Sequence, residues 1–274
     1  MHRLRLAWIL GWCAALGPVA EATAQIRPLE PLSPGAGRCE RCVEVEAGFA
    51  MYDGQRASLV GAEGRLLELG YVRAVWRLDR VAFEAAGTVW RRFETHGTFA
   101  DPLGVVDDAA ARTRADVGDF RVASIVTIAE SDGASLVLRF GTRLPTTDDG
   151  IGLERDRTDF FALVGGRLER GPFAATAESG LGIQGTRESV YDQVDVWLYS
   201  AALEYQWGAV TPGIALVGQA DGLHGPAIRG NENLRELRFG ARFGRRRWAR
   251  VVLVRGLTDF SPHLGVQATV GVTF

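Results

Sequence analysis

The sequence predicts an all-β protein, a 12-stranded antiparallel transmembrane up-and-down β-barrel, and three observations predict it. Runs in which apolar and polar residues alternate with period two recur between positions 43 and 274. Helical periodicity is almost absent from this region, and short turns alternate with long loops between the runs. The composition alone, 47% hydrophobic and 23% charged, describes a soluble enzyme equally well, so the order of the residues decides.

Composition and charge exclude several other classes. After the signal-like start, no apolar run approaches the ~20 residues that a membrane-spanning helix needs. The apolar content is too high, and the net charge of −2 too small, for intrinsic disorder. This nearly balanced charge also gives no reason to expect a nucleic-acid partner.

Residues 1–24 have the three parts of a secretory signal peptide. Arg3 and Arg5 give a positive start, residues 6–16 are apolar, and the small residues Ala22-Thr23-Ala24 precede Gln25. We therefore expect export and cleavage before Gln25. The alternative for this region is a buried N-terminal helix.

Residues 25–42 are predicted to form an extended periplasmic segment, because prolines and glycines are frequent in it. The exported chain keeps two cysteines, Cys39 and Cys42, and an oxidising compartment favours a disulfide between them. No histidine follows Cys42 and no second cysteine pair is present, so neither haem attachment nor a zinc site is expected. A redox role for the pair is the alternative.

The predicted strands are runs of about ten residues, with an apolar face and a mixed face. In the first run Val43, Val45 and Phe49 lie on one face, and Glu44 and Glu46 lie on the other. The first seven runs cover residues 43–52, 71–78, 81–92, 120–128, 134–141, 159–169 and 173–184, and the last five are centred on residues 197–205, 210–216, 237–243, 249–253 and 264–274.

The connections between the runs are of two kinds. Tight turns lie at 79–80, 131–133, 170–172, 207–208 and 244–246. Longer loops lie at 53–63, 94–116, 143–157, 185–193, 221–231 and 258–263. An even strand number with this alternation is typical of bacterial outer-membrane barrels, whose turns lie in the periplasm. Residues 43–274 are therefore predicted to form a barrel in contact with outer-membrane lipid, with both termini on the periplasmic side.

A soluble β-sandwich or a lipocalin-like barrel is the structural alternative, because both are built from alternating strands. Two features favour the membrane barrel. The runs are longer than the five or six residues common in soluble sheets. Aromatic residues also cluster near the strand ends, where membrane interfaces favour them: Trp90, Phe93, Phe120, Phe140, Phe160, Phe173, Trp207, Trp248 and Phe274.

The C-terminal residues carry a resemblance to a known class. Val266, Ala268, Val270 and Val272 lead in alternate steps to Phe274 at the last position. This pattern resembles the C-terminal assembly signal of bacterial outer-membrane barrels. The resemblance implies that the barrel assembly machinery is a partner, through the segment that ends at Phe274.

A second resemblance concerns residues 139–149, RFGTRLPTTDD. This segment is similar to the G-x-K-L-P-T-G-D segment of the transporter-like barrel family linked to meta-pathway phenol degradation. Arg143 stands where that family has lysine, and Thr147 stands where it has glycine. The resemblance implies a transport role.

Charged residues within the predicted strands are expected to face the lumen, because a charge that faces lipid at mid-depth costs ~2 to 4 kcal/mol. Their signs are mixed, so they could line a narrow polar path or bridge the lumen and close it. The candidates are Glu44, Glu46, Arg73, Arg77, Glu84, Arg92, Arg121, Arg139, Arg167, Glu178, Glu204, Glu236, Arg238, Arg242 and Arg250.

The predicted function is a passive channel or binding barrel for small molecules, whose solute the sequence does not identify. The alternative is a non-conducting structural or adhesive barrel with ligand-binding outer loops. A lipid-modifying enzyme is a third hypothesis, based on the loop histidines His96, His224 and His263, with Ser261 and Asp259 near the last.

No catalytic residue, cofactor or metal is expected. The spacing Asp-Phe-Ser-Pro-His at 259–263 matches no known nucleophile motif. The acidic pairs at 107–108 and 148–149 lack the spaced oxygen ligands of a calcium loop, so we interpret them as solvated loops.

Overall fold

The computed structural model describes residues 22–23, 27–32, 39, 41–99, 112–148, 151–186, 192–221 and 230–274. Its main feature is a closed antiparallel β-barrel of twelve strands, which confirms the predicted fold class. Each strand pairs with the next, and the last pairs with the first, from Leu264 opposite Asp53 to Thr273 opposite Glu44. Within the described ranges, no helix is long and apolar enough to cross a membrane.

The strands are numbered here in chain order. They are β1 Arg41–Ala57, β2 Ala62–Leu78, β3 Val81–Thr98, β4 Phe120–Ser131, β5 Ala134–Leu144, β6 Asp159–Arg170, β7 Phe173–Gly185, β8 Gln193–Tyr205, β9 Val210–Asp221, β10 Leu234–Gly244, β11 Arg247–Gly256 and β12 Leu264–Thr273. A 3-10 helix, Ser58–Val60, joins β1 to β2. The short strand Thr113–Asp116 extends the sheet beside β3, and Ala22–Thr23 pairs with Arg155–Asp156.

The two ends of the barrel differ in their connections. The end that carries the tight turns, such as Asp79–Arg80 between β2 and β3, is called the turn end below. The opposite end carries the remaining connections and is called the loop end. Residues 100–111, 149–150, 187–191 and 222–229 of these loops lie outside the described part of the chain.

The outer and inner faces have opposite chemistry. Large apolar side chains such as Trp76, Val164 and Leu253 are exposed on the outer face. Charged side chains such as Glu84 and Arg139 are buried on the inner face. The period-two alternation of the sequence therefore becomes an apolar exterior around a charged interior.

The first three strands are longer than the sequence predicts, with 17, 17 and 18 residues. The predicted loop 53–63 is wrong at both edges, because β1 continues to Ala57 and β2 starts at Ala62. Polar side chains such as Arg56 and Glu63, which pair at 2.8 Å, form part of the strand ladder there. Polarity marks the end of the apolar band, whereas backbone pairing continues beyond it.

The alternation of inward and outward residues reverses once in β2 and β3. Gly70 has a φ of +67° and lies beside Val89. Glu68 faces inward on one side of Gly70 and Tyr71 on the other, and Arg91 follows the same reversal in β3. A residue without a Cβ is favoured at this positive φ.

Candidate functional site: the barrel lumen

The lumen contains the chain's own residues 27–32, which we call the luminal segment. Pro28 and Leu32 are buried, and the segment makes hydrogen bonds to strands on several sides of the barrel. Residues 25–42 were predicted to be an extended periplasmic segment, and residues 27–32 of that stretch lie inside the barrel. The physical reason is that its leucines, charges and free backbone groups find partners on the inner wall.

Leu32 anchors the segment near the turn end. Its side chain packs in an apolar cluster with Val75, Ala82, Ile125 and Val137. Its backbone N–H donates to a carboxylate oxygen of Glu178 at 2.9 Å, and its carbonyl accepts from Thr176 Oγ1 at 3.2 Å. These contacts satisfy backbone groups that no neighbouring strand pairs.

A chain of buried ion pairs crosses the lumen beside the segment. Arg73 donates twice to one oxygen of Glu84, at 3.0 and 2.5 Å. Arg139 donates to the other oxygen of Glu84 at 2.6 Å and approaches Glu178 at 3.4 Å. It also donates to the backbone carbonyl of Glu30 at 2.9 Å, so the network holds the luminal segment directly.

The two charged side chains of the segment reach the wall of β10. Arg238 donates to the Glu30 carboxylate at 2.8 Å, and Arg27 donates to Glu236 at 2.9 Å. Arg238 and Glu236 are themselves paired at 2.9 Å. The Arg27 guanidinium also lies 3.6 Å from the ring centroid of Tyr52, a cation–π contact.

Arginines control the ionisation of Glu30. Burial by itself raises the pKa of this carboxyl, but Arg238, Arg121, Arg250 and Arg27 outweigh it and lower the pKa to about 2. Glu30 is therefore a carboxylate at neutral pH, because its surroundings favour the charged form.

A second ionic network lies at the loop end. Arg91 and Arg143 both bind Glu154, and Arg143 and Arg155 both bind Asp159. Glu154 and Arg155 belong to the β5–β6 connection, which folds inward.

An apolar cluster lies next to this network. In this cluster, Leu153 from the same connection packs with residues that include members of β2, β3 and the 3-10 helix. Its partners include Val60, Leu66 and Phe93. Ionic and apolar contacts together therefore cover the described part of the loop end.

The turn end is more open. A cavity of about 670 Å³ lies there, and its lining includes Arg77, Glu204 and Arg242. Cys39 also lines it and forms a disulfide with Cys42, an inward residue of β1. The disulfide therefore holds residue 39 on the luminal side of β1.

The structure places the predicted lumen residues as follows. Arg92 is exposed and pairs with Glu94 at 2.9 Å, because the reversal beside Gly70 turns Arg91 inward in its place. The others are buried or line inner cavities: Glu44, Glu46, Arg73, Arg77, Glu84, Arg121, Arg139, Arg167, Glu178, Glu204, Glu236, Arg238, Arg242 and Arg250.

Several lumen residues were not predicted. They are Arg27 and Glu30 of the luminal segment, Glu68 and Arg91 beyond the reversal, and the loop-end residues Arg143, Glu154, Arg155 and Asp159. The one signal available in advance was the mixture of charges and prolines between 27 and 32, which suits neither a strand nor a signal peptide.

The residues proposed for catalysis do not form a catalytic arrangement in the described part of the chain. Ser261 is buried, and its hydroxyl accepts from the backbone N–H of Arg235 at 2.9 Å and lies 2.9 Å from Thr258 Oγ1. These contacts fix the β11–β12 loop. His96 and His263 are exposed, and His224 lies outside the described residues. Among the described residues, no group of three or more acidic, histidine or cysteine side chains is placed to hold a metal.

The fold is similar to that of solved outer-membrane barrels. An outer membrane channel from Pseudomonas putida F1 is 16% identical with a TM-score of 0.63, over 90% of this chain and 100% of that one. The NanC porin is 10% identical with a TM-score of 0.50, over 85% of this chain and 98% of that one. No family model matches the chain, and no curated protein is significantly similar. At these identities, the likeness is one of fold.

Proposed function

We propose that the protein is a passive channel for small molecules in the bacterial outer membrane, and that the luminal segment closes it in the conformation described. The observation that carries this proposal is a charged lumen in which the chain's own residues 27–32 bind to the inner wall. That segment is held by side-chain contacts and by a few backbone hydrogen bonds, rather than as a strand of the barrel. Solute could replace such contacts without breaking the barrel.

The outer face supports the membrane location. Its exposed Val, Leu, Phe and Trp side chains would be costly in water and are suited to lipid. We also propose that residues 1–24 are removed after export. Cleavage there would remove the Ala22–Thr23 pairing and leave residues 27–32 in place. N-terminal sequencing of the exported protein tests this, and heat-modifiable gel mobility tests the barrel.

The two sequence resemblances belong to the same proposal. The C-terminal strand β12, with Phe274 hydrogen-bonded to the carbonyl of Val43 at 2.9 Å, is suited to recognition by the assembly machinery as it closes the barrel. Residues 139–149 resemble a segment of the phenol-degradation barrel family. Within them, Arg139 binds Glu84 in the chain of buried ion pairs beside the luminal segment, and Arg143 binds Glu154 in the loop-end network.

Conductance in planar lipid bilayers tests the channel, with Leu32→Ala as the variant. Truncation of this buried side chain weakens docking of the segment by ~2 to 5 kcal/mol, and we expect the open fraction to rise at least about tenfold. Leu253→Ala, the same substitution on the outer face, serves as the matched control and should behave as wild type.

The filled lumen also favours a second candidate, a non-conducting barrel whose outer loops bind a ligand. The same experiment separates the two. If correctly folded wild-type and Leu32→Ala proteins both give no conductance steps, the channel proposal is lost and the non-conducting barrel stands.

A further inference from the structure

The carboxylate of Glu30 occupies a basic site built by the barrel wall. Arg238, itself buried, donates to this carboxylate at 2.8 Å. A small cavity beside Glu30 is also lined by Arg73 and Arg250. On the other side, a second cavity that Glu30 shares is lined by Arg121. Arginines from β2, β4, β10 and β11 therefore line the two cavities beside Glu30, and of these Arg73 also pairs with Glu84 and Arg250 with Glu46.

Arg121 has spare hydrogen-bonding capacity in this site. Its Nε atom is buried and has no hydrogen-bonding partner among the described residues. A buried donor of this kind is costly unless a ligand or water satisfies it. Arg121 and Glu30 line the same cavity, so an acceptor bound in that cavity could satisfy this donor.

Apolar sockets lie on the wall next to the basic site. Leu29 packs against a cluster that includes Phe161, Leu163 and Val196. Leu32 fills a second cluster, formed by Val75, Ala82, Ile125 and Val137. Within four residues, the luminal segment thus offers the wall one carboxylate and two branched apolar groups, and the wall has a matching partner for each.

We infer that the basic site and the apolar sockets form a binding site for small monocarboxylates with an apolar tail, and that such a solute displaces Glu30 from Arg238. This inference rests on the proposed channel function and names its substrate class. A solute carboxylate takes the place of the Glu30 carboxylate on Arg238, and its tail takes the place of Leu29. Because solute and segment compete for the same groups, binding of the solute would favour release of the segment.

A cationic solute is a weaker fit. Arg27 does bind Glu236, but that carboxylate is already held by Arg238 at 2.9 Å. The first cavity beside Glu30 is lined by four wall arginines and one wall carboxylate, Glu204, whereas the second carries Arg91, Arg121 and Arg143 together with Glu68, Asp119 and Glu154. The charge of the first cavity therefore favours an anion over a cation.

Titration calorimetry on the full exported chain in detergent tests the site, with sodium hexanoate as the probe. Hexanamide has the same tail without the charge, and hexylammonium reverses the charge. We expect hexanoate to bind and the other two to bind at least about tenfold more weakly. Equal binding of hexanamide would show a merely apolar site, and preferred binding of hexylammonium a cation site; either result overturns the inference.

Two substitutions give opposite predictions. Glu30→Gln removes the competing carboxylate, so hexanoate should bind at least about tenfold more tightly than to wild type. Arg238→Gln removes the main partner and should abolish measurable binding. Arg65→Gln, which removes an arginine paired with Asp53 at 3.4 Å on the exposed surface, is the matched control and should leave hexanoate binding unchanged.

The test does not depend on the folding of a single variant. Heat-modifiable mobility reports folding of each, and if Arg238→Gln fails to fold, Arg121→Gln takes its place and should weaken binding. If neither wild type nor folded Glu30→Gln binds hexanoate, the inference is overturned. It is also overturned if Glu30→Gln binds hexanoate no more tightly than wild type.

Bilayer recordings separate this inference from the channel proposal. In a gradient of sodium hexanoate, we expect Glu30→Gln to carry a current whose reversal potential shows hexanoate permeation. If chloride and sodium carry the current without selectivity for hexanoate, the channel proposal stands and the proposed substrate class is overturned. Calorimetric binding without conductance would confirm the site and refute the channel.

Discussion

Arg139 links two carboxylates of the barrel wall to the luminal segment. Its side chain is fully buried, and it contacts the carboxylates of Glu84 and Glu178 as well as the carbonyl of Glu30. A guanidinium can serve all three because its donors point in several directions in one plane. Lysine, with one compact charge, could not make the same set of contacts.

We therefore predict that Arg139→Ala lowers the free energy of unfolding by about 3–5 kcal/mol, because the buried carboxylates of Glu84 and Glu178 both lose the guanidinium that they share, and Glu178 keeps no other arginine partner among the described contacts. Urea unfolding of the barrel in lipid vesicles measures this. Arg65→Ala breaks an exposed pair and should cost about 1 kcal/mol or less. A loss for Arg139→Ala no greater than that for Arg65→Ala would contradict the prediction.

The carboxylate of Glu30 should make closure depend on pH. Burial raises its pKa, but Arg238 and its neighbours lower the pKa further, to about 2, from a usual value of 4.5. The lowered pKa stabilises the docked segment above pH 4.5, and this stabilisation is lost as the pH falls towards 2. We expect the open fraction in bilayers to rise over that range.

Glu30→Gln is the control for this pH effect, because it has no carboxyl to titrate at that position. Other acidic groups of the lumen stay the same in both proteins, so the difference between the two pH profiles reports Glu30. Identical profiles for wild type and Glu30→Gln would refute the prediction.

Residue by residue, the sequence predicts the lumen well where the strands are regular. Charges such as Glu84 and Arg238 are assigned to the correct face by alternation alone. Arg92 is assigned to the wrong face because Gly70, in another strand, reverses the alternation of its neighbour. A reversal of this kind depends on cross-strand pairing, which a single-strand pattern does not contain.

At the scale of elements, the reversal of the inward and outward alternation in β2 and β3 should depend on Gly70. A Cβ at this residue would lie 3.0 Å from the Cβ of Val89, and its φ is +67°. We expect Gly70→Ala to destabilise the barrel by about 1–2 kcal/mol. Gly97→Ala, where a Cβ would have nothing within 4 Å, should change stability by less than about 0.5 kcal/mol.

Urea unfolding in vesicles compares these two variants. The inward placement of Arg91 and Glu68 depends on the same reversal of the alternation, so Gly70→Ala should also weaken the loop-end network that includes Arg91. Equal stabilities for Gly70→Ala and Gly97→Ala would mean that the strands accept a Cβ at the reversal without strain.

The luminal segment is an element whose position inside the barrel was not predicted from the sequence. Its prolines and lack of period-two alternation correctly exclude a barrel strand. They carry no information about which surface the segment contacts. Its partners Glu178, Arg139 and Arg238 lie more than 100 positions away, and only closure of the barrel brings them together around it.

At the scale of the whole molecule, a single β-sheet separates the apolar exterior of the barrel from its charged interior. Val164 of β6 faces outward near the middle of its strand, and Leu168 faces outward nearer the turn end. In lipid, an arginine at mid-depth costs ~2 to 4 kcal/mol, and the cost falls to ~0 to 1 near the interfaces.

The proposed membrane location therefore predicts a difference between two arginines on the same strand and the same face. Val164→Arg should lower the free energy of unfolding in vesicles by about 2–4 kcal/mol, and Leu168→Arg should lower it by about 1 kcal/mol or less. In a soluble barrel both arginines would reach water and cost little. Similar small losses for the two variants would therefore refute the membrane location, and a depth-dependent loss is expected only if lipid surrounds the outer face.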